Sequence, residues 1–393
     1  MGLQYIDSMN VDFPGQGSRI LQLCMGDVSN MSPADHVDFL VVSALPGDYS
    51  PTQGSVIGAL NQQGVSVQNL SQSKAANYEP VMPCWISQPV SSSNPAIQFG
   101  RVLLFEPANP ATAAQGLISN IFSAMSCFNG SNASSMAIPM VCTGSGGANI
   151  AQIFYSLFYG ATSGQSSYTF PLNTVKLVVY NQTQLNQLQP LFTQFKSNYG
   201  NIQGLNLPGS YSSYAAGCWS WAQSAQLPAN LSRRQAFGIN LYTSNYYSTL
   251  NSVLRGGNPN DPTYMAMMTV FDAINAGLAN LAPDPGMTYR GEASMTLDRL
   301  NQWSIGNNVV NLAYTSTARP AGSWYYNAAY KFNINGVQCK SINAFSQYPG
   351  ENEYLYAPNL IQNVTSRACN SGNSNCTFGA NETVPNWCNN QSS

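Results

Sequence analysis

The most unusual feature of this sequence is its shortage of charge. Only 8% of the 393 residues are Asp, Glu, Lys or Arg, compared with about 25% in an average soluble protein. The formal net charge is −2 and the sequence has no basic run. A nucleic-acid-binding protein needs a concentration of positive charge, so we expect no nucleic-acid partner. Small neutral or phosphate-bearing ligands fit this composition better.

Long apolar runs are missing as well. None approaches the roughly 20 residues that a helix needs to span a bilayer. Met1 is not followed by the basic and apolar segments of a signal peptide. We therefore expect a soluble chain without a membrane partner.

Histidine is nearly absent, because His36 is the only one in the chain. It precedes a predicted strand, where a histidine is typical of a surface or capping position. Catalysis by a Ser-His-Asp or Cys-His pair is therefore not expected. Without a histidine cluster we also expect no metal cofactor.

Three of the nine cysteines lie close together, at Cys369, Cys376 and Cys388, in a tail rich in Asn, Ser and Gly. A disulfide in such a tail would replace a missing hydrophobic core. Long spacings and the remote His36 make a zinc site a poorer explanation. The sequence leaves the pairing open.

Strand-like and helix-like segments alternate over the first 200 residues or so. Apolar runs predict strands, and amphipathic segments predict helices between them. This alternation favours an α/β domain with a sheet between helices and ligands bound at the carboxyl ends of the strands. The predicted strands are 20–24, 37–42, 102–105, 136–142 and 175–180, and the predicted helices are 111–125, 148–159 and 184–199, with a further helix starting near 56.

A glycine-rich loop, Thr143-Gly144-Ser145-Gly146-Gly147, follows one of these strands and precedes a helix. Backbone N–H groups in such a loop, together with the start of the helix, are suited to cradle phosphate oxygens. The predicted ligand is therefore a phosphate-bearing molecule.

Several motifs in this region resemble those of the macro domain, the ADP-ribose-binding module. They are Gly26-Asp27-Val28, the segment 54–59, and the segment 138–147 that contains the glycine-rich loop. The resemblance implies a three-layer α/β domain over residues 1–200 that takes ADP-ribose. It implies that Asp27 contacts adenine and that Gly144, Ser145, Gly146 and Gly147 contact the diphosphate.

Two departures from the macro domain limit what this region is expected to do. Hydrolytic members of that family have an Asn-rich strand end where this chain has Ser43-Ala44-Leu45, and the first loop has few glycines. We therefore expect weak or no ADP-ribose binding and no hydrolysis. The alternative is an α/β domain that serves structure or a different ligand.

Residues 201–230 are rich in Gly, Ser, Tyr and Asn and contain Pro208 and Pro228, which predicts a linker. Beyond it, residues 237–254 and 264–281 have helical periodicity. Short strand-like segments follow, which predicts an α+β domain over residues 231–393.

Two carboxylates stand out near the end of this second domain. Glu351 and Glu353 follow the turn Tyr348-Pro349-Gly350. On a strand, residues i and i+2 project from the same face, so two like charges would lie close together. This is unfavourable unless a cation, a ligand or a reaction offsets it. The alternative is a solvated turn with acidic side chains.

The second domain contains three short segments in a fixed order, Tyr289-Arg290-Gly291, Thr315-Ser316-Thr317 and Glu351-Asn352-Glu353. In these segments and their order it resembles the mono-ADP-ribosyltransferases of the arginine-serine-glutamate (R-S-ExE) class. Leu241-Tyr242-Thr243-Ser244 and Leu254-Arg255-Gly256 in the leading helices match as well. The resemblance implies a split mixed or antiparallel sheet preceded by helices, with NAD as substrate. It implies the catalytic residues Arg290, Ser316, Glu351 and Glu353, and NAD contacts from Tyr289, Arg290, Gly291, Thr315, Ser316 and Thr317.

By the same resemblance, each catalytic residue has a separate task. Glu353 stabilises the positive charge that builds on the ribose as nicotinamide leaves. Arg290 binds a phosphate or ribose of NAD. Ser316 orients Glu353, and Glu351 polarises the guanidinium of an acceptor arginine.

We therefore predict a protein-arginine mono-ADP-ribosyltransferase that acts as a secreted or delivered effector or toxin on a protein with an exposed arginine. A cytoplasmic location is the alternative. Two other functions remain open, an NAD glycohydrolase and a non-catalytic protein that binds ADP-ribose or NAD. The intact pair of glutamates argues against the second.

Overall fold

The computed structural model describes residues 2–13, 17–79, 82–109, 115–128, 135–144, 146–163, 172–199, 211–255 and 263–383. These residues form two compact units. The first contains the described residues up to 199 and residues 263–272, and the second contains residues 211–255 and 273–383.

The first unit contains an eight-stranded sheet. Its central strands β2, β8, β7, β3 and β6 are parallel, and β1, β5 and β4 are antiparallel to their neighbours at the edges. In chain order the strands are β1 (Gln4–Phe13), β2 (Gly17–Met25), β3 (Val37–Ser43), β4 (Lys74–Asn77), β5 (Cys84–Ser87), β6 (Phe99–Phe105), β7 (Ser135–Pro139) and β8 (Thr174–Val179).

Between these strands in the chain lie helices α1 (Val56–Gln62), α2 (Val67–Ser71), α3 (Gln115–Cys127) and α4 (Ile150–Ser163), and α5 (Gln182–Tyr199) follows the last strand. Leu40, Val41 and Val42 are consecutive in β3 and are all fully buried. Because consecutive strand residues point to opposite faces, both faces of the sheet are covered.

The strands predicted from apolar runs are confirmed as β2, β3, β6, β7 and β8, and the predicted helices as α1, α3, α4 and α5. Residues 111–114 of the predicted helix 111–125 lie outside the described residues. Strand β1 was not predicted. It is an edge strand in which Met9 and Val11 are buried at alternate positions, so it has no continuous apolar run.

The second unit contains another eight-stranded sheet, in the order β10-β15-β16-β12-β9-β11-β14-β13. Only β12 and β16 are parallel among its pairs in the described part of the chain. The strands are β9 (Gly286–Glu292), β10 (Asn308–Asn311), β11 (Thr315–Ala318), β12 (Tyr330–Gly336), β13 (Lys340–Ser341), β14 (Glu353–Tyr356), β15 (Leu360–Cys369) and β16 (Cys376–Glu382).

This sheet is nearly divided in two, because β9 and β11 are joined by the single pair Tyr289 and Ala318. A core of Trp303, Phe332, Val364 and Phe378 supports the larger part. The predicted split, mixed sheet is therefore present. The helices are α6 (Tyr211–Ser224), α7 (Arg233–Leu241), α8 (Tyr247–Leu254), α9 (Thr263–Asn280), α10 (Leu297–Gln302) and α11 (Ser323–Asn327), and residues 263–272 of α9 belong to the first unit.

The linker predicted over residues 201–230 is wrong for much of its length. Residues 201–210 lie outside the described residues, but Tyr211–Ser224 form helix α6. Ala215, Cys218 and Ala222 are buried on this helix at spacings of three and four residues. Small residues make this buried face inconspicuous in the sequence, which explains the error.

The cysteine-containing tail also differs from the prediction. Strands β15 and β16 pair as a hairpin, and Val364 and Phe378 on them are fully buried, so this segment has a hydrophobic core. The pairing that the sequence left open is a disulfide between Cys369 and Cys376. Cys388 lies outside the described residues. Among the helices that the structure describes, none is both long and apolar enough to cross a membrane.

Candidate active site

Three strands of the second unit bring Arg290, Ser316 and Glu353 together. Strand β11 pairs with β14 so that Ser316 lies opposite Leu355 and Ala318 opposite Glu353. Ser316 and Glu353 are therefore diagonal neighbours on one face of the sheet. The Ser316 hydroxyl donates a hydrogen bond of 2.6 Å to Glu353 Oε1. The contact is observed, and the role of Ser316 in orienting Glu353 for catalysis stays a prediction.

Arg290 is held from two sides. Its Nη1 donates to the Ser316 carbonyl oxygen at 2.8 Å, and its Nε donates to Glu292 Oε1 at 2.9 Å. Glu292 also accepts hydrogen bonds from both terminal nitrogens of Arg299. The carboxylate of Glu292 thus fixes two guanidinium groups next to each other.

The charge state of Glu292 follows from these partners. Burial by itself raises the pKa of a carboxyl, but the hydrogen bonds from Arg299 and the positive charges of Arg290 and Arg299 lower the pKa of Glu292 to about 2. Glu292 is therefore ionised at neutral pH and neutralises part of the positive charge around it.

Glu353 has the opposite environment. Its side chain is only 7% exposed. Burial raises the pKa of Glu353 to about 7, the negative charge of Glu351 adds to this, and the hydrogen bond from Ser316 lowers it in part. A buried carboxylate of this kind interacts strongly with a cation that forms next to it, because little water screens the charges.

Glu351 does not lie on the same strand as Glu353, so this part of the sequence prediction is wrong. It ends the 3-10 turn Pro349–Glu351, and Asn352 follows in the left-handed region at φ 48°. The Glu351 N–H donates to the Tyr348 carbonyl oxygen at 3.0 Å. The turn that Pro349 and Gly350 favour therefore extends to Glu351, and the strand begins only at Glu353.

The exposed Glu351 is nevertheless close enough for its charge to act on Glu353. The site thus combines one buried and one exposed carboxylate. The role of Glu351 stays a prediction.

The helical side of the site contains residues for which the sequence predicted no role. A π-helical turn, Tyr242–Tyr246, interrupts the helical segment that was predicted over 237–254, and the chain is kinked there because Ser244 has an extended backbone (φ −79°, ψ 178°). Such turns are frequent at functional sites. The Tyr242 hydroxyl accepts a hydrogen bond of 3.2 Å from Asn251 Nδ2. Burial raises the pKa of Tyr242, and the charges of Glu353, Arg290 and Arg255 all act on it.

Arg255 adds a third guanidinium group. Desolvation lowers the pKa of Arg255, and the positive charges of Arg290 and Arg299 lower it further. Three arginines around the single carboxylate of Glu292 leave an excess of positive charge. Guanidinium groups are well suited to bind phosphate. The only signal for Arg255 in the sequence was the resemblance of Leu254-Arg255-Gly256 to the transferase family.

The remaining predicted NAD contacts have structural partners of their own. The Tyr289 ring packs edge-on against Tyr325. Gly291 lies so close to helix α11 that a Cβ atom there would come within 2.7 Å of Ala328 Cβ. Thr317 donates a hydrogen bond to the Tyr354 carbonyl oxygen, and Thr315 is buried. Contact of these residues with NAD stays a prediction.

In the first unit, Asp27 and the glycine-rich loop follow strands β2 and β7, which are parallel members of one sheet. Their carboxyl ends therefore lie at the same edge. Asp27 Oδ1 accepts hydrogen bonds from the Ser29 N–H and hydroxyl. One carboxylate oxygen of Asp27 therefore already accepts two local hydrogen bonds and is less available to a ligand.

The loop itself contains backbone in unusual conformations. Cys142 at its start has φ 63°, and Gly147 has φ 65°. The Gly147 N–H donates to the Gly144 carbonyl oxygen, while Gly146 lies between them and Ser145 lies outside the described residues. Binding of a phosphate by this loop stays a prediction.

A metal site is not evident in the part of the chain that the structure describes. No group of three or more His, Cys, Asp or Glu side chains there is arranged to hold an ion.

Comparison with known proteins adds independent information. The family model for NAD:arginine ADP-ribosyltransferase matches residues 179–382. The NAD(+)–protein-arginine ADP-ribosyltransferase Tre1 from Serratia proteamaculans (strain 568) is 30% identical over 155 residues, which are 39% of this chain and 33% of Tre1. The match thus spans about a third of the length of this relative.

Two solved structures are similar to part of the chain. The type III effector XopAI from Xanthomonas axonopodis pv. citri, solved with 70 N-terminal residues removed, has a TM-score of 0.38 at 15% identity, covering 50% of this chain and 99% of the truncated one. Exoenzyme S from Pseudomonas aeruginosa, solved with human 14-3-3 protein beta and Carba-NAD, has a TM-score of 0.38 at 18% identity, covering 45% of this chain and 90% of its own.

Proposed function

Because the chain belongs to the NAD:arginine ADP-ribosyltransferase family, whose model matches just over half of it, we propose that it transfers ADP-ribose from NAD to an arginine side chain of a protein acceptor. We place it in the arginine-serine-glutamate class. The observation that carries this proposal is the direct hydrogen-bonded connection of Arg290, Ser316 and Glu353 across three strands.

Glu353 acts on the ribose next to nicotinamide. When the bond between them breaks, nicotinamide leaves with the bonding electrons and the ribose becomes positively charged. The buried carboxylate of Glu353 stabilises this charge more than it stabilises neutral ribose, which lowers the barrier. The Ser316 hydroxyl donates to Glu353 and holds it in the orientation that the ribose requires.

Arg290 binds the diphosphate of NAD, and Arg255 and Arg299 add positive charge to the same region. Glu292 supports this arrangement because its hydrogen bonds to Arg290 and Arg299 limit the rotamers that both can adopt. A guanidinium that is fixed before binding loses less entropy when it meets a phosphate.

Glu351 serves the acceptor. An arginine side chain is protonated at neutral pH and is a poor nucleophile until a proton is removed or drawn away. The exposed carboxylate of Glu351, two residues from Glu353, is able to meet the guanidinium of an incoming arginine. The nitrogen then gives up a proton to the Glu351 carboxylate as it attacks the ribose cation, and a carbon–nitrogen bond to arginine replaces the bond that nicotinamide has left.

We further propose that the first unit is a macro-like three-layer domain and that it binds ADP-ribose weakly or not at all. Asp27 and the loop around Gly144 at one sheet edge support the resemblance. Ser43-Ala44-Leu45, at the end of β3, supplies no carboxamide for a ribose.

We also propose that the chain works as a secreted or delivered effector. The Cys369–Cys376 disulfide supports this, because disulfides persist mainly in oxidising compartments. A cytoplasmic transferase would keep both thiols reduced, and mass spectrometry of the protein taken from its producing cell and from outside it distinguishes the two.

The activity is tested by incubating the purified chain with labelled NAD, with and without an arginine-rich protein acceptor. We expect release of nicotinamide and labelling of the acceptor. Glu353→Gln should lower both by about 10² or more, the scale expected when a transition-state stabiliser is removed. Circular dichroism checks that this variant folds.

Other outcomes of this assay identify the alternatives. Nicotinamide release without labelled acceptor would show a glycohydrolase, in which water captures the ribose. Absence of both products with retained NAD binding would show a binding protein. Turnover near wild type in Glu353→Gln would contradict the assignment of this residue.

A further inference from the structure

We propose that Asn240 and Thr243 are positioning residues for Glu351. They fix the loop 342–352, and through it they govern capture of the acceptor arginine more than cleavage of NAD. This inference rests on the proposed function, since it concerns the same site.

The loop 342–352 connects β13 to β14 and contains Glu351 near its end. Backbone hydrogen bonds fix both of its ends, from the Ile342 N–H to the Glu353 carbonyl oxygen at 3.0 Å and from the Arg319 N–H to the Asn352 carbonyl oxygen at 3.3 Å. The residues between these two bonds gain little from the sheet, so their position depends on other contacts.

Those contacts come from Asn240 at the end of helix α7 and from Thr243 in the π-helical turn. Asn240 Nδ2 donates to the Phe345 carbonyl oxygen at 2.7 Å. The Gln347 N–H donates to Thr243 Oγ1 at 3.0 Å. Both polar side chains are buried, and each contacts a loop residue that is more than 100 positions away in the sequence.

The two residues are also connected to each other. The Thr243 hydroxyl donates to the Asn240 carbonyl oxygen at 2.8 Å. Gln347 Nε2 lies 3.5 Å from Asn240 Oδ1 and 3.0 Å from Cys218 Sγ. A buried amide or hydroxyl is costly unless it is hydrogen-bonded, so removal of one partner leaves the others unsatisfied. The network therefore holds the loop in one position.

We call the hydrogen bonds of Asn240 and Thr243 with the loop the anchor. The anchor positions Glu351 and not Glu353. Glu353 is fixed independently by its pairing with β11 and by the Ser316 hydroxyl. In the described part of the chain, neither Asn240 nor Thr243 hydrogen-bonds to Arg290, Ser316 or Glu353. Glu351 lies between the anchor and the strand on an exposed turn, so its position depends on how firmly the loop is held.

The test compares two reactions of the full chain, hydrolysis of NAD without acceptor and transfer of ADP-ribose to agmatine, a small guanidine. Thr243→Val removes the hydroxyl with little change in shape. We expect it to lower transfer by about tenfold and NAD hydrolysis by less than about twofold. Thr243→Ser keeps the acceptor oxygen and should restore transfer. Ser248→Ala, on the exposed face of α8, is the matched control and should change neither rate.

A purely structural role for Thr243 would lower both rates together, and an irrelevant contact would lower neither, so either result would overturn the inference. If Thr243→Val does not fold, Gln347→Ala tests the same network from the exposed side of the loop and should also lower transfer selectively. If the wild-type chain itself releases no nicotinamide from NAD, the proposed function fails before any variant is compared.

Discussion

At the scale of single residues, the burial of Glu353 predicts how activity depends on pH. Burial and the charge of Glu351 raise the pKa of Glu353 to about 7, against the lowering effect of the Ser316 hydroxyl. The carboxylate form is needed to stabilise the ribose cation, so kcat for NAD hydrolysis should rise as the pH increases through about 7. Steady-state rates measured between acidic and mildly alkaline pH check this.

The variants of the same site should shift this profile in opposite directions. Glu351→Gln removes a negative charge and should move the rise to lower pH, whereas Ser316→Ala removes a stabilising hydrogen bond and should move it to higher pH. The stability of the fold should depend on pH in the opposite direction to the activity. A carboxyl whose pKa is raised by folding stabilises the fold at low pH, and this contribution is lost as the pH rises through about 7. A profile unchanged in both variants would contradict this assignment.

Glu351 and Glu353 should also differ in which reaction they support. Glu351→Gln should suppress transfer to arginine while much of the NAD hydrolysis remains, because water needs little help in losing a proton to capture a reactive cation. Parallel assays of transfer and nicotinamide release at saturating NAD measure the two. Equal loss of both activities would mean that Glu351 serves NAD binding or structure instead.

At the scale of secondary-structure elements, the hairpin of β15 and β16 tests the contribution of the disulfide. Cys369 and Cys376 close a short loop at the end of a ten-residue strand. By the loop-closure argument, removing such a cross-link lowers the free energy of unfolding by about 2 kcal/mol. Denaturant unfolding of the Cys369→Ser, Cys376→Ser double variant, compared with the wild type in its oxidised and reduced forms, should give this difference. Equal stability of the oxidised and reduced wild type would show that the buried Val364 and Phe378 suffice.

At the scale of the whole molecule, the two units should differ in their use of ADP-ribose. Each missing contact to a ligand hydroxyl weakens the binding free energy by about 1 to 3 kcal/mol. Two such losses shift the dissociation constant from the micromolar towards the millimolar range. We therefore expect titration calorimetry of the full chain with ADP-ribose to show no micromolar site that depends on Asp27. Arg290→Lys serves as the control that weakens binding in the second unit.

The opposite result would change the interpretation of the first unit. Micromolar binding that is lost in Asp27→Ala would mean that its loops still close on the ligand. Removal of ADP-ribose from a modified arginine, dependent on Asp27, would make the chain both a transferase and a hydrolase.

Much of the fold was predictable from local patterns. Buried parallel strands such as β3 are continuous apolar runs, and the order of Arg290, Ser316 and Glu353 along the chain pointed to the candidate site. Edge strand β1 and helix α6 were missed, because β1 has no continuous apolar run and the buried face of α6 consists of small residues.

The sequence by itself determined which side chains are available, namely the arginine, the serine and the two glutamates. The tertiary structure decided what each can do. Burial next to Ser316 gives Glu353 its raised pKa, and a 3-10 turn places Glu351 outside the strand. The partnership of Arg290 with Glu292 and the anchor at Thr243 arise in the same way. These properties depend on strand register and on contacts between residues far apart in the chain, and neither is encoded in the periodicity of a single segment.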